Sequence, residues 1–115
     1  MRPDPLFCLW RGEDKTQELR LFGEKGEPVD LTGSFVICNL YARGLSKPVL
    51  TLSTIGGTAR VAGNGVFLKF SKEVTAKLAP VVYELEILRD PDATGTQERH
   101  PIVRGLIKVA SMGAF

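Results

Sequence analysis

The chain has 115 residues, 43% of them hydrophobic and 24% charged, with 15 Lys and Arg against 13 Asp and Glu for a formal net charge of +2. That length suits one domain, residues 1–115, with volume enough for a core that needs no disulfide or metal staple. Acidic and basic residues alternate along it, so no clustered positive charge marks a nucleic-acid surface, and no apolar run approaches the ~20 residues of a membrane span.

Pro3 and Pro5 predict an extended arm over residues 1–5. The apolar step at 6–10 is too short for the core of a secretion signal, and no small-residue cleavage site follows, so it reads as a first strand. Residues 17–22 alternate, with Leu19 and Leu21 on one side and Arg20 on the other. Glu24-Lys25-Gly26-Glu27-Pro28-Val29-Asp30-Leu31-Thr32-Gly33 then packs two turn signals around a short apolar step. A long strand is predicted over 34–43, with Val36, Cys38 and Leu40 in one row and Phe35, Ile37 and Tyr41 in the other, the second row broken by Asn39. Strands follow at 49–53, 59–62 and 66–70, the last two joined by the hairpin signal Gly63-Asn64-Gly65.

Ser71 is placed to cap one helical turn, Glu73 suits its positive end, and Val74 and Leu78 would pin it to the core before Pro80 ends it. Residues 81–88 form a strand with Tyr83, Leu85 and Ile87 inward and Glu84 and Glu86 outward. A polar loop at 89–101 and a last strand at 102–110 complete the pattern, with 111–115 as a tail. About seven or eight short antiparallel strands with frequent turns and one short helical turn predict an all-β, immunoglobulin-like sandwich.

Antiparallel pairing across the 89–101 loop sets Glu86 opposite Arg104 on the outer face, and Tyr83, Leu85 and Ile87 opposite Ile107, Gly105 and Val103 on the core face. The expected core contains Val36, Leu40, Leu68, Tyr83, Leu85 and Ile107. Gly105, inside a strand, signals a bulge or a close packing neighbour.

Little in the chain suggests chemistry. His100, the one histidine, lies in the polar loop with no nucleophile and orienting group beside it in sequence. Asp90, Asp92 and Thr94 alternate before Gly95 as in part of a calcium loop, but the terminal Glu is missing and Asp-Pro and Thr-Gly are ordinary turn choices. Neither Gly56-Gly57 nor Gly63-Asn64-Gly65 is followed by the Lys-Ser/Thr and helix of a phosphate cradle. The expectation is no enzyme, no cofactor and no metal. Cys8 and Cys38 each sit in an apolar run and read as two buried free thiols, a disulfide between facing sheets being the alternative.

The second apolar row is the feature with functional weight. Phe35, Ile37 and Tyr41 are either covered by loops or the first strand, or form a protein-binding surface that Phe67 and Leu106 extend.

The order Leu21-Phe22, a glycine turn, Pro28-Val29-Asp30-Leu31-Thr32-Gly33, the strand of Val36, Cys38 and Leu40, Gly65-Val66-Phe67-Leu68, Ser71-Lys72-Glu73-Val74-Thr75, Tyr83-Glu84-Leu85-Glu86 and Arg104-Gly105 resembles the small immunoglobulin-like β-sandwich domains of tailed phages and prophages, such as the N-terminal domain of phage baseplate upper proteins. The resemblance spans residues 11–110. It departs at Ala79-Pro80-Val81, where such domains often carry a glycine, and the chain stops at Phe115 without further domains. It implies a non-enzymatic structural or assembly protein of the tail, baseplate or neck, assembled in the bacterial cytoplasm and residing in the virion. Its partners would be other virion or tail proteins or further copies of itself, not nucleic acid or membrane. The family brings no active site with it. The alternative is a carbohydrate- or host-surface-binding module.

Overall fold

The alternating apolar segments become strands, and the computed structural model describes residues 4–90 and 99–111. In chain order these are β1 (Phe7–Trp10), β2 (Lys15–Arg20), β3 (Phe35–Ala42), β4 (Leu50–Ser53), β5 (Ala59–Ala62), β6 (Gly65–Phe70), α1 (Lys72–Lys77), β7 (Val82–Asp90) and β8 (His100–Ala110). The described residues form an all-β fold with one short helix. Two sheets divide the strands, one of five in the order β1-β8-β7-β3-β4 and one of three in the order β2-β6-β5.

The pairing corrects the expectation of wholly antiparallel strands. β1 runs parallel to β8, with Phe7 opposite Ile107 and Leu9 opposite Val109, so the larger sheet is mixed. No hairpin joins these two strands. The chain leaves β1 for the other sheet and traverses the whole fold before returning as β8, and so long a connection leaves strand direction free. The polar loop is also shorter than expected. β7 continues to Asp90 and β8 begins at His100, because Arg89 still pairs with His100 and Leu88 with Pro101.

The β7–β8 register is the expected one. Tyr83 faces Ile107, Leu85 faces Gly105, Glu86 faces Arg104 and Ile87 faces Val103. A register shift follows at Ile87/Leu88, not at Gly105. Gly105 instead meets a close neighbour: a Cβ added there would lie 2.6 Å from Cδ1 of Leu6.

One core lies between the sheets. Val36, Leu40, Leu68, Tyr83, Leu85 and Ile107 are all buried in it, joined by Leu9, Leu31, Phe70 and Val109. The rings of Phe7 and Phe70, one from each sheet, meet at 5.9 Å between centroids. Within the hairpin at 63–64, Gly63 has φ +58° and Asn64 stays at negative φ, the pattern of a type II′ turn whose twist matches its strands.

The helix is capped as its sequence predicts, with the Val74 N–H donating to Ser71 Oγ at 3.3 Å. Its most buried residue is Thr75, fully enclosed. The Thr75 hydroxyl donates to the Glu13 carbonyl at 2.8 Å and accepts from the Gly12 N–H at 3.0 Å. Arg11 adds a bond from Nη2 to the Ala76 carbonyl at 2.9 Å, so the β1–β2 turn is fastened to α1. Just beyond the helix, the Tyr83 hydroxyl accepts from the Ala79 N–H at 2.9 Å and donates to the Ala79 carbonyl at 3.2 Å.

Candidate functional site: the outer face of the five-stranded sheet

Strand periodicity sends alternate residues of β3, β7 and β8 away from the core, and the register aligns them in rows across the sheet. One row is Tyr41, Glu84 and Leu106. The next is Asn39, Glu86 and Arg104. Ile37 and Leu88 lie side by side in a third. A groove of about 590 Å³ opens along the first two rows, lined by Tyr41, Glu84, Glu86, Arg104 and Leu106, with Asp4 and Leu6 from the N-terminal arm.

Arg104 Nη2 donates to Glu86 Oε2 at 3.2 Å, closing the cross-strand pair that the register demanded. The Arg104 side chain is 71% exposed, so the pair orients two groups but adds little stability. Asn39 is buried although it points to this face. Its Oδ1 accepts the Thr51 hydroxyl at 2.8 Å, which satisfies the amide oxygen and separates Ile37 from Tyr41.

The five residues expected to form one surface are therefore distributed. Tyr41 and Leu106 share the groove, joined through Glu84. Ile37 is half-buried on the same face, one row beyond Asn39. Phe35 is not a wet residue: it is only 4% exposed, with the guanidinium of Arg99 5.0 Å from its ring centroid. Phe67 belongs to β6 in the other sheet, where Arg60 covers its ring at 4.3 Å. Asp4 of the arm and Leu6, expected at the start of the first strand but lying just ahead of β1, were not assigned to this face because no periodicity attaches an arm to a particular strand.

A second, smaller groove of about 350 Å³ lies against β2 and β6, lined by Asp14, Lys15, Thr16, Lys69 and Phe70. Asp14 there accepts the Lys72 N–H at 2.7 Å, a bond that holds the start of α1.

The cysteines differ from one another, contrary to the expectation that both are buried. Phe7 and Leu9 take the inward positions of β1, so Cys8 between them is exposed, whereas Cys38 lies in the core row of β3. Both thiols are free. Burial pushes the Cys38 thiol up to about 12, which keeps it protonated at neutral pH. An aromatic disulfide reagent at mild alkaline pH should therefore titrate Cys8 rapidly in the folded chain and both cysteines only after denaturation. Equal native rates would remove Cys38 from the core, and no thiols in the denatured, unreduced chain would indicate a disulfide.

His100 is exposed at the start of β8, opposite Arg89, and not in a loop. Among the described residues no cluster of three His, Cys, Asp or Glu could hold a metal. Asp92 and Thr94 of the candidate calcium loop lie outside the described residues. No described helix is long and apolar enough to cross a membrane.

The outermost strand of the larger sheet, β1, has its free side occupied from within the chain. Lys15 Nζ donates to the Cys8 carbonyl at 2.8 Å, and the Trp10 N–H donates to Glu13 Oε1 at 2.7 Å.

No protein-family profile matches the chain, and no curated protein is significantly similar to it.

Proposed function

We propose that this is a non-enzymatic, immunoglobulin-like β-sandwich that serves as a structural or assembly component of a phage or prophage particle, acting through packing of the outer face of its five-stranded sheet. The strand order supports the immunoglobulin-like part of the reading. Lettering β2, β3, β5, β6, β7 and β8 as B, C, D, E, F and G gives sheets B-E-D and G-F-C, the division such sandwiches use. The bond from Tyr83 to Ala79 has the form of the tyrosine corner at the entry to strand F. Aliphatic residues such as Leu19 and Leu85 stand on β2 and β7, which in antibody domains carry the inter-sheet disulfide.

The observation that carries the packing role is the groove on the outer face, where Tyr41, Leu106 and Leu6 give apolar contact and Asp4, Glu84, Glu86 and Arg104 give polar register. The particle assignment rests on the sequence resemblance. It is tested by inducing the host and separating assembled particles on a density gradient. The chain should band with tail or whole particles by mass spectrometry. Its confinement to the soluble fraction would overturn the assignment.

One observation favours a second reading. Tyr41 beside Glu84, Glu86 and Arg104 offers a ring and hydrogen-bonding groups together, as a sugar would require. Binding to glycans on an array, lost on Tyr41→Ala, would favour that module over an assembly protein.

A further inference from the structure

The groove and the turn between β3 and β4 are complementary, and they lie at the same end of one strand. The turn is Arg43-Gly44-Leu45-Ser46-Lys47, with two cations, no acid, and Leu45 59% exposed at its middle. The groove carries three carboxylates, of Asp4, Glu84 and Glu86, against the single guanidinium of Arg104. Arg104 is paired with Glu86, while Asp4 and Glu84 form no ion pair among the described residues. Beside these acids the groove offers Leu6, Tyr41 and Leu106 as apolar wall.

The turn is fixed in shape. The Leu45 N–H donates to the Ala42 carbonyl at 3.0 Å, Val49 N–H donates to the Leu40 carbonyl at 2.7 Å, and Gly44 takes φ +83°, which a side chain would resist. A preformed turn loses little freedom on docking. It cannot fold back into its own groove, because Tyr41 in the groove is joined to Arg43 through the single residue Ala42, on an extended strand. A second copy related by a two-fold axis meets no such restriction. Since turn and groove are neighbours, one rotation places each turn in the other's groove, and the contact is made twice.

We propose that the chain forms a two-fold dimer in which the β3–β4 turn of each copy docks in the outer-face groove of the other, Leu45 against Leu6, Tyr41 and Leu106, with Arg43 and Lys47 facing Asp4 and Glu84. This rests on the packing role proposed above and names the partner as a second copy.

Sedimentation equilibrium of the full chain, up to about 0.1 mM, tests it. A monomer–dimer equilibrium is expected, weakened as salt approaches about 1 M, where the screening length falls to ~3 Å. Leu45→Glu should weaken dimerisation at least about tenfold, a change of ~1.4 kcal/mol. Glu84→Lys should weaken it similarly, and a chain carrying Asp4→Lys and Glu84→Lys with Arg43→Glu and Lys47→Glu should regain affinity. All of these positions are exposed, and an unchanged circular-dichroism melt would show that folding is retained. A monomer throughout the concentration range, or a dimer indifferent to Leu45→Glu, overturns the proposal. A monomer that still bands with particles overturns this contact alone, whereas a dimer absent from particles removes the particle assignment and leaves the contact standing.

Discussion

Leu85→Ala should lower the urea midpoint by a large margin, with a loss of about 2–5 kcal/mol. Leu85 is 2% exposed and belongs to the core that both sheets share. Its neighbours across the sheet are Leu40 on β3 and Gly105 on β8. Domains of this size are stable by only about 5–15 kcal/mol, so much of the margin disappears. The slope of the transition should be unchanged, since the same surface is exposed on unfolding. An unchanged midpoint would put Leu85 off the core face.

Thr75→Val should cost about 1–3 kcal/mol although it preserves shape and adds a methyl group. The substitution deletes a hydroxyl that satisfies the Glu13 carbonyl and the Gly12 N–H together, and the replacement methyl cannot bond either. Thr75 is fully enclosed, so water cannot readily replace the hydroxyl. The signature separating this from a simple packing defect lies in hydrogen exchange. The amide of Gly12 should lose protection, while amides in the distant β3–β4 ladder keep theirs near the global value. Uniform loss across the chain would show that the turn and helix are not fastened through this residue.

The β7–β8 ladder was legible in sequence because strands have a period of two and opposite charges seek one another across a pair. Once Tyr83, Leu85 and Ile87 point inward, Glu86 must point outward, and Arg104 fixes the slide. The same logic found the inward row of β3. It failed where burial comes from distant chain. Phe35 looks exposed from its own strand, and its cover, Arg99, lies 64 residues further on. Phe67 resembles an extension of the same face, yet the β5–β6 hairpin pairs with β2, and nothing local to the hairpin selects that neighbour. Leu31 sits outside any strand and is nevertheless fully buried, drawn in as its N–H donates to the Gly63 carbonyl at 2.8 Å. As for the groove, Tyr41 and Leu106 were visible individually. Their meeting through Glu84 required two strand pairings at once, and Leu6 and Asp4 arrive from an arm that periodicity does not place.

The bonds from Lys15 to the Cys8 carbonyl and from the Trp10 N–H to Glu13 bear on how this chain behaves at high concentration. An exposed strand edge is a template, and identical copies held at high local concentration are those most prone to extend it into fibrils. Here an incoming strand would find one carbonyl and one amide already taken, each by a charged group that must be displaced and left without its partner. Strand addition at the β1 end of the sheet is thereby opposed, so crowding alone does not make this edge the seed of a continuous sheet.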